Sequence, residues 1–234
     1  LPIYMIPNRE QALMLAQREV VALVHDAVNL EGIAFTFPEI QTLLDGVTVG
    51  GHKLSDQQIA INQAKAWKQL FSDLKQNNFV LTAEYACKLH SIAAKEEALE
   101  WGKFRTSGVT IAGTEYLPPA ADRLAQLFAE MVDRVTMQND IYDQAISLFL
   151  QMARTQFFYD VNKRMGRFMM NGHLLNQGYP VINLPAARQL EFNQLMLDFY
   201  QTGEEEQMKQ FMKSCLDQKV VDIMSSARAA PSGA

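Results

Sequence analysis

From Arg9 to Ser225 the apolar residues recur at the three-to-four-residue spacing of a helix face, and one stretch alone breaks the rhythm. Leu13, Ala16, Val20, Val21, Leu23, Val24 and Ala27 predict a helix within 9–30. Thr36 with Glu39 matches a capping box, and Ile40, Leu43 and Leu44 follow on one face. Asp45-Gly46 and Gly50-Gly51 punctuate. Ser55 is read as the cap of a long helix running to Asn77-Asn78, and Thr82 opens the next. Further helices are expected over 119–137, 139–155, 165–177, 185–201 and 204–225, with a frayed tail from Ser225 to Ala234. The exception is 104–117, FRTSGVTIAGTEYL. Val109, Ile111 and Tyr116 favour strand, and Gly108, Gly113 and Pro118-Pro119 bound them, so a short β-hairpin over 105–116 is predicted in an otherwise all-α protein.

Composition limits the function. The 234 residues carry 21 Lys and Arg against 26 Asp and Glu, a net charge of −5, which argues against nucleic-acid binding through bulk charge. No apolar run approaches the roughly 18 residues of a membrane span. The first ten residues have no basic n-region and do not read as a signal peptide. Cys87 and Cys215 are too few for a disulfide framework and read as reduced core thiols of a cytoplasmic protein.

Chemistry concentrates in 155–176, TQFFYDVNKRMGRFMMNGHLLN. Lys163, Arg164 and Arg167 lie where one helical pattern gives way to the next. A helix N-terminus presents free N–H groups and a positive dipole end, which suit phosphate. Asp160 beside them is an oxygen ligand of the kind that holds Mg²⁺ together with substrate phosphates. These residues alone are met equally by an exposed basic turn with a capping aspartate.

The stretch QFFYDVNKRMGR, 156–167, resembles the Fic-family motif H-x-F-x-[DE]-G-N-[GK]-R-x-x-R. Phe158, Asp160, Asn162, Lys163, Arg164 and Arg167 match; Gln156 stands in place of His and Val161 in place of Gly. AVNLEGIAFTFPEI, 27–40, resembles the family's inhibitory-helix signature, with Glu31 and Gly32 matching and Ala27 replacing Ser or Thr. FRTSGVTIAGTEYLPP resembles the flap before the motif, and LLNQGYPVINLP the run after it.

The resemblance implies a Fic-type helical domain with a hairpin flap: an N-terminal helical region over 1–100 carrying the inhibitory helix, a Fic core over 101–216, and a helix end and tail over 217–234. It implies transfer of AMP from ATP, with Mg²⁺, to a hydroxyl of a target protein, and it leaves room for a homodimer. Asp160 would hold the metal. Val161, Asn162, Lys163 and Arg164 would receive the α- and β-phosphates, and Arg167 the γ-phosphate. Glu31 would pair with Arg167 and block that place. Val109, Thr110 and Ile111 would clamp the target segment as an added strand. Lys163 resembles the kinase branch of the family, but Arg167, which that branch lacks, argues against it.

Gln156 occupies the general-base slot, and a carboxamide does not titrate near pH 7. Two readings follow: an adenylyltransferase with impaired transfer, or a non-catalytic Fic fold that binds nucleotide or protein. An engineered exchange would alter His alone, so the second departure at Val161 favours natural divergence. His25, His52, His90 and His173 are given structural roles.

Overall fold

The computed structural model describes residues 5–226, and among these every regular element is a helix. The elements are α1 (Arg9–Arg18), α2 (Val20–Leu30), α3 (Phe37–Leu44), α4 (Leu54–Lys75), α5 (Ala83–Ala93), α6 (Leu124–Thr136), α7 (Ile141–Thr155), α8 (Asn162–Asn176), α9 (Gln189–Thr202), α10 (Glu206–Lys213) and α11 (Gln218–Ser226). Short 3₁₀ turns lead into α6 and α9. Most of the tail expected to fray lies outside the described residues. No helix among the described residues is long and apolar enough to cross a membrane.

Local signals set several ends. Glu39 Oε2 accepts the Thr36 N–H at 2.7 Å, so the capping box forms. Thr82 Oγ1 accepts the Tyr85 N–H at 3.2 Å and starts α5. Ser55 does not cap α4: Lys53 is the extended residue before it, and Ser55 lies inside the first turn. The segment 9–30 is two helices, interrupted at Glu19, whose N–H bonds back three residues to Ala16. The stretch 204–225 is likewise split, into α10 and α11.

α7 and α8 form the central antiparallel pair. Phe149, Leu150, Met165, Met169 and Met170 are wholly buried in the seam. Gly166 lets the backbones meet: a Cβ there would lie 3.0 Å from the Phe149 carbonyl oxygen. α4 crosses α8 through Trp67 and Phe168, edge to face at 5.2 Å. At Gly172 a Cβ would come 2.4 Å from the Phe79 ring. Gly172→Ala is therefore expected to cost about 1–3 kcal/mol through overpacking, read as a lower urea midpoint at unchanged slope. A neutral result would show that the Phe79 ring moves freely.

The hairpin expected over 105–116 is not there. Residues 104–119 run as an extended loop with one turn at Ala112-Gly113 and no strand pairing. The return arm is poor in donors, because Pro118 and Pro119 have no N–H and the Tyr116 N–H is taken by Thr114 Oγ1 at 3.1 Å. Side chains fix the loop instead. Arg105 is 2% exposed and has no carboxylate partner. It donates to the carbonyls of Gln156 at 2.5 Å, Ser107 at 2.7 Å, Pro119 at 2.6 Å and Thr155 at 3.4 Å. Two of those carbonyls end α7, the negative end of its dipole. Arg154 lies over the Tyr116 ring at 3.9 Å, and Thr114 Oγ1 donates to Gln201 at 3.1 Å.

Candidate functional site

The sequence-predicted residues converge on one cleft of about 630 Å³. The loop between α7 and α8 makes its floor, the segment 110–113 one wall, and Met196, Leu197 and Tyr200 of α9 another. Glu31, Gln156, Asp160, Val161, Asn162, Lys163 and Arg164 all line it, and so do Thr110 and Ile111; Val109 and Arg167 do not, Arg167 reaching it only through Glu31.

The floor is built by side chain-to-backbone bonds. Asn162 Oδ1 accepts the Phe158 N–H at 2.9 Å, and its Nδ2 donates to the Phe158 carbonyl at 2.8 Å and to Gln156 Oε1 at 3.0 Å. Gln156 Nε2 donates to the Ala153 carbonyl at 2.6 Å, so both ends of the carboxamide are committed. Asp160 Oδ1 accepts the Val161 N–H at 2.7 Å.

Val161 adopts φ 65° and ψ 15°, the left-handed region, immediately before α8. A β-branched residue is an outlier there, and such strain costs on the order of 1–3 kcal/mol. The turn therefore keeps the conformation glycine suits best. The first backbone bond of α8 runs from the Met165 N–H to the Val161 carbonyl, 2.9 Å. The N–H groups of Asn162, Lys163 and Arg164 thus have no helical partner and sit at the positive dipole end.

The cations are already engaged. Lys163 Nζ is 3.2 Å from Glu31 Oε2, and Arg167 Nη2 is 3.4 Å from Glu31 Oε1. Glu31 ends α2, whose last carbonyls, Asn29 and Leu30, accept from Gln189 Nε2 at 3.0 and 3.2 Å. Burial pushes the Glu31 carboxyl up, but Lys163, Arg167 and Arg164 outweigh it and hold it below the usual range. Arg164 grips Glu97 with both terminal nitrogens; the Nη1–Oε2 bond is 2.9 Å. Burial opposes the charge of Arg164, yet the bonds and charge of Glu97 raise its pKa overall.

Three contributors were not singled out in the sequence. Glu97 sits in the turn after α5, where Asn62 and Gln63 of α4 donate to the Lys95 and Ala93 carbonyls at 2.8 and 3.2 Å. No spacing rule links Glu97 to Arg164. Tyr159 carries its hydroxyl to Thr106 and Ser107, 3.1 and 2.9 Å from theirs, and ties the loop 104–119 to the floor. His90 was assigned only a generic structural role. It stacks on Phe158 at 3.8 Å and 7°, accepts the Gly102 N–H at Nδ1 (3.1 Å) and so donates from Nε2 to the Asp160 carbonyl at 3.2 Å.

Burial lowers the pKa of both His90 and His173 to about 4. The unfolded chain protonates each near 6.5 while the folded one stays neutral. Stability is complete above pH 6.5 and falls as pH drops toward 4, by up to about 1.4 kcal/mol per unit for each ring. Urea midpoints should therefore decline from pH 7 to 5.5, less steeply in His173→Gln; a flat profile would contradict these shifts. Cys87 and Cys215 are free and half-buried rather than core thiols. Burial raises the Cys87 thiol to about 11. Among the described residues no cluster of three or more His, Cys, Asp or Glu could hold a metal by itself.

Residues 80–174 match the family model described as the Fic/DOC family. Over that stretch the chain is similar to Fic/DOC domains. It is 24% identical over 189 residues to protein adenylyltransferase fic-1 of Caenorhabditis briggsae, covering 77% of this chain and 37% of that protein. It is 22% identical over 225 residues to protein adenylyltransferase Fic of Drosophila willistoni, covering 93% and 44%. The chain thus spans less than half the length of these relatives. Among solved structures, a Fic domain-containing signaling protein from Bacteroides thetaiotaomicron superposes with a TM-score of 0.74 at 16% identity, over 94% of this chain and 91% of that one. Fic-1 from C. elegans superposes with a TM-score of 0.76 at 15% identity, over 90% and 64%. The Fic/DOC fold here is all-helical, with the flap segment present as a loop.

Proposed function

We propose that the Fic/DOC domain binds Mg-ATP in this cleft and is organised to pass AMP to a hydroxyl of a target protein, with transfer impaired by Gln156. The observation that carries the reading is the N-terminus of α8: free N–H groups, Lys163 and the buried Arg164 on one cleft beside the Asp160 carboxylate, with the buried Arg167 joined to it through Glu31. Planar guanidinium forks suit phosphate oxygens, and phosphoryl-type transfer depends on positioning and charge more than on covalent chemistry by the protein.

The residues fit a magnesium ion. Asp160 is exposed on the cleft rim with one carboxylate oxygen on the Val161 N–H, leaving the other for a metal that is otherwise held by phosphates and water. Such an ion neutralises phosphate charge when bound. The N–H groups of 162–164, Lys163 and Arg164 receive the α- and β-phosphates, and Arg167 the γ-phosphate. The loop 109–111 offers unpaired backbone to an extended target segment, whose hydroxyl then faces the α-phosphate. Nothing titratable stands at 156 to take the hydroxyl proton.

Glu31 is the internal restraint. Its carboxylate holds Lys163 and Arg167, the groups the γ-phosphate needs, so the nucleotide must compete with it. We place the domain in a cytoplasm, where ATP is in excess. Glu31→Gly should tighten Mg-ATP binding about 10-fold or more in calorimetry, the size of one partly buried charge pair. Unchanged affinity would remove Glu31 from this role. The alternative, a non-catalytic binder, is favoured by the same fixed carboxamide of Gln156.

A further inference from the structure

Beside the cleft, and sharing Arg164 with it, lies a second, partly open space of about 20 Å³ between α2, α4, α8 and residues 182–184. Its polar wall is Gln63, Arg164, Arg167, Asn171 and Asn183, and the rest is apolar, with Trp67 the largest member. Arg164 and Arg167 are 5% and 7% exposed. Arg164 Nε and both Nε and Nη1 of Arg167 are buried with no hydrogen-bond partner in the protein. Leaving a charged donor in that state costs more than leaving a neutral one.

The neighbouring amides do not satisfy them, and the amide N–H groups are turned elsewhere. Gln63 donates to the Ala93 carbonyl at 3.2 Å, and Asn183 donates to Asp26 at 2.6 Å. Asn171 closes a pair with the backbone of Ile182 at 3.1 and 2.9 Å. The charges do not balance either. Three cations, Lys163, Arg164 and Arg167, meet two carboxylates, with Glu97 on Arg164 and Glu31 shared by the other two. Asp160, the next carboxylate, is turned to the Val161 N–H on the exposed rim.

We propose that this cavity binds a monovalent anion of halide size, chloride in ordinary media. The space exceeds the roughly 10–15 Å³ needed for one water-sized particle, so it holds an ion of halide size. The unpartnered buried atoms on its wall are all donors and all belong to cations. A particle that only accepts satisfies them fully; water brings two protons that need acceptors. The site shares Arg164 with the nucleotide cleft and is otherwise lined by different residues. Arg167 lines this cavity and not the cleft, and Glu31 engages its Nη2. Leu23, Ala27 and Leu30 of α2 form one side, so the anion joins the backs of both arginines to the helix that ends at Glu31.

The test uses the unmodified chain and needs no nucleotide. Crystals are soaked in sodium bromide, and an anomalous map is calculated at the bromine edge. The expected result is a bromide peak in the cavity, within about 3.5 Å of both guanidinium groups, as charge-assisted contacts to a large anion require. In parallel, replacing sodium gluconate by sodium chloride at constant ionic strength, up to about 200 mM, should raise the Tm by a saturating ~2–5 °C. Arg167→Lys, which keeps the charge and loses the fork, should abolish that rise. A map with no anomalous peak in the cavity, or with ordered water there in its place, overturns the proposal; so does a Tm indifferent to halide.

Discussion

Gln156→His combined with Val161→Gly and Glu31→Gly is expected to raise AMP transfer to protein about 10²–10⁴-fold over the unmodified chain, the usual worth of a positioned base. That is about 3–5 kcal/mol of barrier, well within reach of a labelled-ATP assay. Each substitution removes one named obstacle. Gln156 spends its carboxamide on Ala153 and Asn162 and cannot take a proton. Val161 holds φ 65° against its side chain, at the turn that aims the α8 N–H groups. Glu31 occupies Lys163 and Arg167. Gln156→His alone should yield a smaller gain, since Glu31 still competes. Brisk labelling by the unmodified chain would show that another group accepts the proton; Glu31, Tyr159 and Asp160 are the candidates in the same wall. No labelling by the triple variant with ATP bound would favour the non-catalytic reading.

The second large effect is on stability. Glu97→Ala leaves Arg164 as an uncompensated buried charge, since the pair is bidentate and the side chains are only 15% and 5% exposed. Breaking a buried pair from one side costs about 3–5 kcal/mol. For a chain of this size that lowers Tm by about 6–20 °C. Mg-ATP should restore more of the loss in Glu97→Ala than it adds to the unmodified chain, because the phosphates then neutralise Arg164. A loss below about 1 kcal/mol would place the pair with ordinary surface ion pairs and contradict its role in seating Arg164.

What could be read from the sequence divides along physical lines. Helices were legible because burying a face imposes its period, and Thr36 and Thr82 marked their starts through local bonds. The boundary at Glu19 and the cap of α4 were not, since both hinge on one or two residues with no strong preference. The motif residues were legible as a set because the loop and the N-terminus of α8 are contiguous in sequence. Val161 was legible as a departure from the motif's glycine, but the left-handed turn it adopts is seen only in the structure. The flap was misread as a hairpin: Val109, Ile111 and Tyr116 do favour strand, but its anchors are Arg105, Tyr159 and Arg154, reached over 38 to 53 residues. Glu97 on Arg164, 67 residues away, and His90 on Asp160, 70 away, are long-range contacts of the same kind. Pairings like these are set by how α4, α5 and α8 pack, and no local pattern announces them.

The most direct test of the account is a crystal structure of Glu31→Gly grown with Mg-ATP. The account predicts the triphosphate across the N-terminus of α8, with the α- and β-phosphates on the N–H groups of 162–164 and Arg164, the metal on Asp160, and the γ-phosphate on Arg167. A nucleotide seated elsewhere, or none bound at saturating Mg-ATP, would contradict it.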